Sequence, residues 1–356
     1  LSADLPLLPP ELKAALHDGL VIPAHPLAVD RRRQLNERRQ RALTRYYLDS
    51  GAGGVAVGVH TTQFAIREPK WNLLEPVLRL AAEEVRRRDP KRPFLLVAGI
   101  CGDTAQAVQE AELARQYGYH MGLLSMGGLS DWSEEALLKR AQRVGEVLPL
   151  FGFYLQPAVG GRELSYSFWR QLAEMPSLQA IKIAPFDRYR TLDVVRAVAQ
   201  ASRREEIALY TGNDDHIVAD LLTVYRFQVD GQLVEKRMVG GLLGQWAVWT
   251  RQAVELLERI KAVRDRESIP ADLFRLGTEL TDANAALFDA RFHFRGSIPG
   301  IHEVLRRQGL LEGSWCLDAD ETLSPGQQGE IERVMRDYPH LTDDGFVRRN
   351  LRRWLS

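Results

Sequence analysis

Short apolar runs alternate with amphipathic helical stretches through most of the 356-residue chain, and this alternation restricts the fold more than any other feature. Strand-like runs fall at 20–24, 54–59, 94–99, 121–125, 150–154, 180–183, 207–211 and 239–243. Helical periodicity occupies 35–50, 73–88, 104–117, 133–147, 166–174, 192–201 and 215–222, and a further helix runs from about 245 to 260. Alternating strands and helices imply right-handed βαβ units and a parallel sheet. Eight such units in about 250 residues is the size of a (β/α)8 TIM barrel. The expected organisation is a barrel over 1–268 and a C-terminal helical extension over 269–356. One interruption precedes the last strand: Phe227-Gln-Val229, Asp230-Gly231 and Gln232-Leu-Val234 read as a hairpin.

The competing topology is an open doubly wound sheet. Gly51-Ala-Gly53-Gly-Val-Ala56 matches the glycine spacing of a dinucleotide fingerprint, but it leaves a helix and enters a strand. That is the reverse of the context a phosphate-binding turn requires. With 47 Lys+Arg against 47 Asp+Glu, no basic footprint for nucleic acid or a membrane surface is expected. The apolar stretches at 94–101 and 239–249 are too short to span a bilayer. Leu1-Ser-Ala-Asp-Leu-Pro6 shows neither the basic nor the apolar segment of a secretory leader. Two distant cysteines, Cys101 and Cys316, suit a reducing cytoplasm. The expectation is a cytoplasmic α/β protein.

The segment richest in chemistry is Ala180-Ile-Lys182-Ile-Ala184. Side chains alternate along a strand, so isoleucines suited to the helix layer send Lys182 inward. An inward lysine is either paired with an interior carboxylate or left neutral by desolvation, and neutrality is what Schiff-base chemistry needs. Tyr154 ends Leu150-Phe-Gly-Phe-Tyr154, and parity groups it with Leu150 and Gly152, inward, leaving Phe151 and Phe153 for the helix side. There a phenol could move protons at the carboxyl end of the barrel. In Gly54-Val-Ala-Val-Gly58-Val-His60-Thr-Thr62 the small residues share a face with His60, leaving room for an anion beside His60 and Thr61. In Asn213-Asp-Asp-His216, Asp214 or Asn213 reads as a helix N-cap rather than a metal ligand. The eight histidines show no ligand spacing, so no metal and no cofactor are expected.

Together these segments resemble the dihydrodipicolinate synthase / N-acetylneuraminate lyase family of class I aldolases. Tyr154-Leu-Gln-Pro157 stands where the family has Tyr-Asn-x-Pro, and Ile181-Lys182 stands for its Ile-Lys motif, at the family's spacing. Val97-Ala-Gly99 resembles its strand-three motif, and Thr211-Gly212-Asn-Asp214 resembles its Ser-Gly-Asp-Asp segment. Ser297-Ile-Pro299 and the helices beyond look like its C-terminal region, so the resemblance runs from about residue 20 to at least 336. It implies a (β/α)8 barrel and an imine between Lys182 and pyruvate or a related 2-oxo acid, with Tyr154 as the proton carrier. It also implies a homo-oligomer, a dimer or a tetramer.

The motif that holds the 2-oxo-acid carboxylate, Gly-Thr-Thr-Gly-Glu in the family, is here Gly58-Val59-His60-Thr61-Thr62. The relay threonine is replaced by Val59 or, in a shifted register, His60. The neighbouring subunit's tyrosine has no counterpart in Ser125-Met-Gly-Gly128, and the carboxylate-binding arginine of the synthases is Val159. A true dihydrodipicolinate synthase is therefore not expected. The expected activity is that of an aldolase or lyase on a 2-oxo acid, with a neutral aldehyde acceptor and Trp246 as an apolar wall. Gly58, Val59, His60, Thr61 and Gly212 would bind substrate. Alternatives are a dehydratase or hydratase-aldolase, a 2-oxo-acid-binding protein without turnover, and a metal-dependent lyase or hydrolase using His25, His60 and Asp214.

Overall fold

A computed structural model describes residues 5–356; Leu1–Asp4, which belong to the segment read for a leader, lie outside the described residues. The strands are β1 (Val21–Pro23), β2 (Gly54–Val57), β3 (Leu95–Ile100), β4 (Met121–Leu124) and β5 (Leu150–Leu155). They continue with β6 (Leu178–Ala184), β7 (Ala208–Thr211), β8 (Tyr225–Val229), β9 (Gln232–Lys236) and β10 (Met238–Leu243). Helix α1 (Pro10–Asp18) precedes β1, and α2 (Glu37–Ser50), α3 (Leu74–Arg88), α4 (Thr104–Gln116) and α5 (Glu134–Gly145) lie between the earlier strands. Then come α6 (Tyr166–Ala173), α7 (Arg188–Ala199), α8 (Ile217–Leu222) and α9 (Thr250–Lys261). Beyond them only helices follow: α10 (Ala271–Leu287), α11 (Ser297–Arg307), α12 (Gln327–Asp337) and α13 (Asp344–Trp354), with short 3-10 turns. Eight strands share one sheet, while β8 and β9 form a separate pair. The fold is a (β/α)8 barrel followed by helices.

Two compact units divide the chain. The first holds the residues up to Leu20 together with Leu95–Leu242. Its parallel strands run in the order β10-β7-β6-β5-β4-β3. Every residue of β3, β4, β5, β6 and β7 is buried, as a parallel sheet covered on both faces requires. Polar caps fix the helix starts: Asp103 accepts from Gln106 N, Ser133 from Ala136 N, Ser165 from Phe168 N and Asp187 from Arg190 N. The expected hairpin is present. β8 and β9 pair antiparallel about Asp230 and Gly231, both at positive φ (50° and 77°), and Val229 and Val234 pack with Ala199 of α7. Tyr210 of β7 ties α1 to this unit, donating to Leu16 O at 2.8 Å and accepting from Leu20 N at 3.1 Å.

The second unit holds Val21–Phe94 and Leu243–Ser356. Ala24, just past β1, bridges Ala56 of β2 in parallel. Asn36 caps α2 and Gly51 ends it in the left-handed conformation, φ 94°. Buried Asp343 knits the unit together, accepting from Tyr46 Oη (2.7 Å), Arg251 N (3.1 Å) and Gln308 Nε2 (2.8 Å). Among the described residues no helix is long and apolar enough to cross a membrane.

Candidate active site

Lys182 lies in register with Phe153 of β5 and with Tyr210 of β7. Its Nζ stands 4.5 Å from the centroid of the Phe153 ring, and the rings of Phe151 and Tyr210 meet at 5.4 Å. These side chains form the face turned away from the helices, so Lys182 points inward as its flanking isoleucines imply. It is 8% exposed, and among the described residues its ammonium has neither a hydrogen bond nor an ion pair. Burial pushes its pKa down to about 8, against the opposing pull of the Asp214 charge. The interior carboxylate allowed by the sequence is thus Asp214, near enough to be felt but not paired with the amine.

Gly212, just past β7, lets this arrangement close. A Cβ there would sit 2.6 Å from Lys182 Cε and 2.7 Å from Ala184 Cβ, so no larger residue fits without moving the lysine stem. Its N–H donates to Ile183 O at 2.7 Å, pinning the end of β7 to β6. The loop that follows is held by Asp220 of α8. One carboxylate oxygen accepts from Thr211 Oγ1 (2.7 Å) and Asn213 Nδ2 (2.9 Å). The other meets Arg188 Nη1 (2.8 Å) and His216 Nδ1 (3.0 Å). The N-cap expectation for Asn213 and Asp214 is corrected here. α8 is preceded by His216 with no side-chain cap, and Asn213 instead bonds Asp220 and accepts from Phe186 N at 3.0 Å.

Strand five also departs from its expected parity. Tyr154 faces the helix layer, its ring 5.1 Å from that of Trp169 in α6. Burial raises its phenol above the usual range, opposed by the Leu164 N–H, 3.5 Å away, and by neighbouring Arg190. Both alternating sets of β5 are compatible with an apolar interior, so parity leaves two assignments. Packing decides between them: Gly152 lets Leu172 of α6 approach on one face, while Phe151 and Phe153 fill the other. The ring beside the amine therefore carries no hydroxyl.

The remaining predicted residues belong to the second unit. Gly58 N and Val59 N both donate to Thr62 Oγ1, at 3.0 and 3.3 Å, and Thr62 donates on to His25 O at 2.7 Å. These two amides are engaged within the chain, contrary to the expectation that they face a carboxylate. Thr61 is buried, and its hydroxyl meets no partner among the described residues. His60 is half-buried with its ring 5.9 Å from Phe64. Buried His25 uses both nitrogens, Nδ1 toward Pro26 O (2.8 Å) and Nε2 toward Thr44 Oγ1 (2.9 Å), and burial lowers its pKa to about 4. As placed, that ring is not open to a metal. Trp246 is buried and lines a cavity wholly within this unit.

No protein-family model and no curated protein matches the sequence. Solved structures do match. The dihydrodipicolinate synthase of Bacillus clausii aligns with 92% of this chain and 99% of its own, at a TM-score of 0.73 and 17% identity. A prophage protein of the dihydrodipicolinic acid synthase family from E. coli K12, in complex with pyruvate, gives a TM-score of 0.73 and 17% identity, covering 91% and 99%. N-acetylneuraminate lyase from Fusobacterium nucleatum gives 0.69 and 16%, over 91% and 99%. The chain has the fold of the dihydrodipicolinate synthases and N-acetylneuraminate lyases.

Within this synthase–lyase fold, Lys182, Gly212 and Asp214 come together, and Tyr154 stands apart on the other face of its strand. Two participants escape sequence reading. Phe153 is signalled only by its register with Lys182. Asp220 carries a weaker signal, an acid four residues after His216 on one helix face.

Proposed function

We propose that the chain is a class I aldolase or lyase that forms an imine between Lys182 and pyruvate or a related 2-oxo acid. One observation carries this reading: a buried lysine, without hydrogen bond or ion pair, whose pKa lies near 8. The pyruvate held by the structurally similar prophage protein supports the same substrate class. The neutral amine attacks the 2-oxo carbon, forming a C–N bond, and the carbonyl oxygen leaves as water once protonated. Loss of a C3 proton then gives an enamine, whose C3 attacks an aldehyde carbonyl; hydrolysis of the imine returns the amine. Asp214 is the proposed proton carrier, since Tyr154 faces the helices. His60 and Thr61 are proposed to hold the carboxylate, on the motif correspondence and the unengaged Thr61 hydroxyl. The catalytic barrel would be 1–268 with 269–356 as its helical extension, in a cytoplasmic homo-oligomer that is not a true dihydrodipicolinate synthase.

Pyruvate with cyanoborohydride tests the reading. A stable adduct is expected at Lys182 by peptide mass, forming faster as the pH rises through about 8 because the amine becomes neutral there. Modification elsewhere, or none across a panel of 2-oxo acids, would overturn it. A second reading, binding without turnover, draws support from Phe153, which leaves no phenol beside the amine. An adduct without aldol product from any tested aldehyde would select it.

A further inference from the structure

Gln63 is the single residue between the 3-10 turns His60–Thr62 and Phe64–Arg67. At φ 70° and ψ 115° its backbone lies outside the left-handed well open to residues with a Cβ, a strain that persists only where surrounding contacts impose it. The deciding contact comes from far along the chain. The Gln63 side chain is buried, and its Oε1 accepts from Leu317 N at 2.7 Å, 254 residues away. Its amide nitrogen meets no partner, so among the described residues the Leu317 bond is the one hydrogen bond this side chain makes. The Leu317 segment, in the helical extension, is anchored in turn by α11, where buried His302 donates from Nδ1 to Trp315 O at 3.1 Å. On the other side, Gln63 N donates to His60 O at 2.8 Å, and Thr62 gathers the Gly58 and Val59 amides. A series of links thus runs from α11 through 315–317 and Gln63 to the turn carrying His60 and Thr61, all within the second unit. We propose that this clasp holds the carboxylate-binding turn in shape, making Gln63 a positioning residue through which the helical extension governs affinity for the 2-oxo acid. The proposal rests on the assignment of His60 and Thr61 to the substrate carboxylate.

Coupling is reciprocal, so a clasp that tightens carboxylate binding is itself tightened by the bound carboxylate, by the same factor. Oxamate is the probe: it has the carboxylate of pyruvate but an amide in place of the ketone, and it forms no imine. The outcome is therefore independent of Lys182. On the full, unaltered chain, saturating oxamate is expected to shift the His60 ring resonances, assigned from His60→Gln. It should also slow hydrogen exchange at the Leu317 amide about five- to tenfold more than at the amides of α12. Gln63→Met, which removes the acceptor at similar volume, should weaken oxamate by the same five- to tenfold or so. With pyruvate, the variant should need more substrate to half-saturate trapping at Lys182 while the limiting rate stays unchanged. Trapping that fails while His60 still answers oxamate would overturn the imine alone. Unmoved His60 resonances at the solubility limit of oxamate, Leu317 exchange slowed no more than that of α12, or undiminished affinity in Gln63→Met would each overturn the clasp. If Gln63→Met fails to fold, the exchange measurement on the unaltered chain still decides.

Discussion

Two buried charges in the first unit, Lys182 and Asp220, are treated in opposite ways. Asp220 meets four partners across its two oxygens, at 2.7 to 3.0 Å. Lys182 has an aromatic ring, the field of the Asp214 carboxylate and nothing bonded to its nitrogen. A buried charge with every valence filled is fixed in place and inert, because any competitor must replace several bonds at once. A buried charge without them is held at a cost to stability, and its proton is loosely kept. Asp220 also organises the loop carrying Gly212 and Asp214, so the inert charge positions the groups around the reactive one.

Lys182→Met breaks the comparison hardest. Adduct formation should vanish, while stability at pH 7 should rise by on the order of 2–3 kcal/mol, since a protonated buried amine is replaced by an apolar chain. The sign is set by the lowered pKa. The unfolded lysine keeps its proton up to about 10.5 and the folded one only to about 8, so the native chain should gain stability as pH climbs through that window. A variant that is less stable at pH 7 would count against an uncompensated charge. Asp220→Ala should do the opposite, losing about 3–5 kcal/mol in a denaturant titration because it strands Arg188, Thr211 and Asn213.

Acid titration sharpens the comparison with the second unit. Buried His25 and His302 both have pKa values lowered to about 4 from 6.5, by burial in each case. The unfolded chain binds these protons first, so stability should fall as pH drops from about 6.5 to about 4, by up to about 3 kcal/mol per ring. His302→Gln should flatten that decline; an unchanged slope would exclude it as a source. The smallest effect is expected from Tyr154→Phe. With its hydroxyl on the helix side, trapping at Lys182 should stay within about threefold, whereas the roughly 10²–10⁴-fold loss typical of a missing acid–base group would put the phenol back in the mechanism.

The fold was legible because each element carries its own periodicity, and the Asp230-Gly231 turn announced the antiparallel pair of β8 and β9. Lys182 was legible because isoleucines flank it on both sides, leaving one sensible face. β5 was not, since glycine and tyrosine alternate with two phenylalanines and either set could line an apolar interior. Asp220 was hidden for a different reason. Arg188, one of its four partners, lies 32 residues away along the chain, and only the fold brings it to the carboxylate. The amides of Gly58 and Val59 looked available because nothing local reveals that the Thr62 hydroxyl turns back onto them.

Strand periodicity makes the inner wall of β5 a binary address: Phe151 and Phe153 face the interior, Gly152 and Tyr154 the helices. Phe153 already lays its ring against Lys182. A single-base change from phenylalanine to tyrosine would therefore put a phenol on the wall that faces the amine. In evolutionary terms, a barrel with an aromatic hydroxyl beside its lysine and one without are immediate neighbours, separated by one oxygen atom.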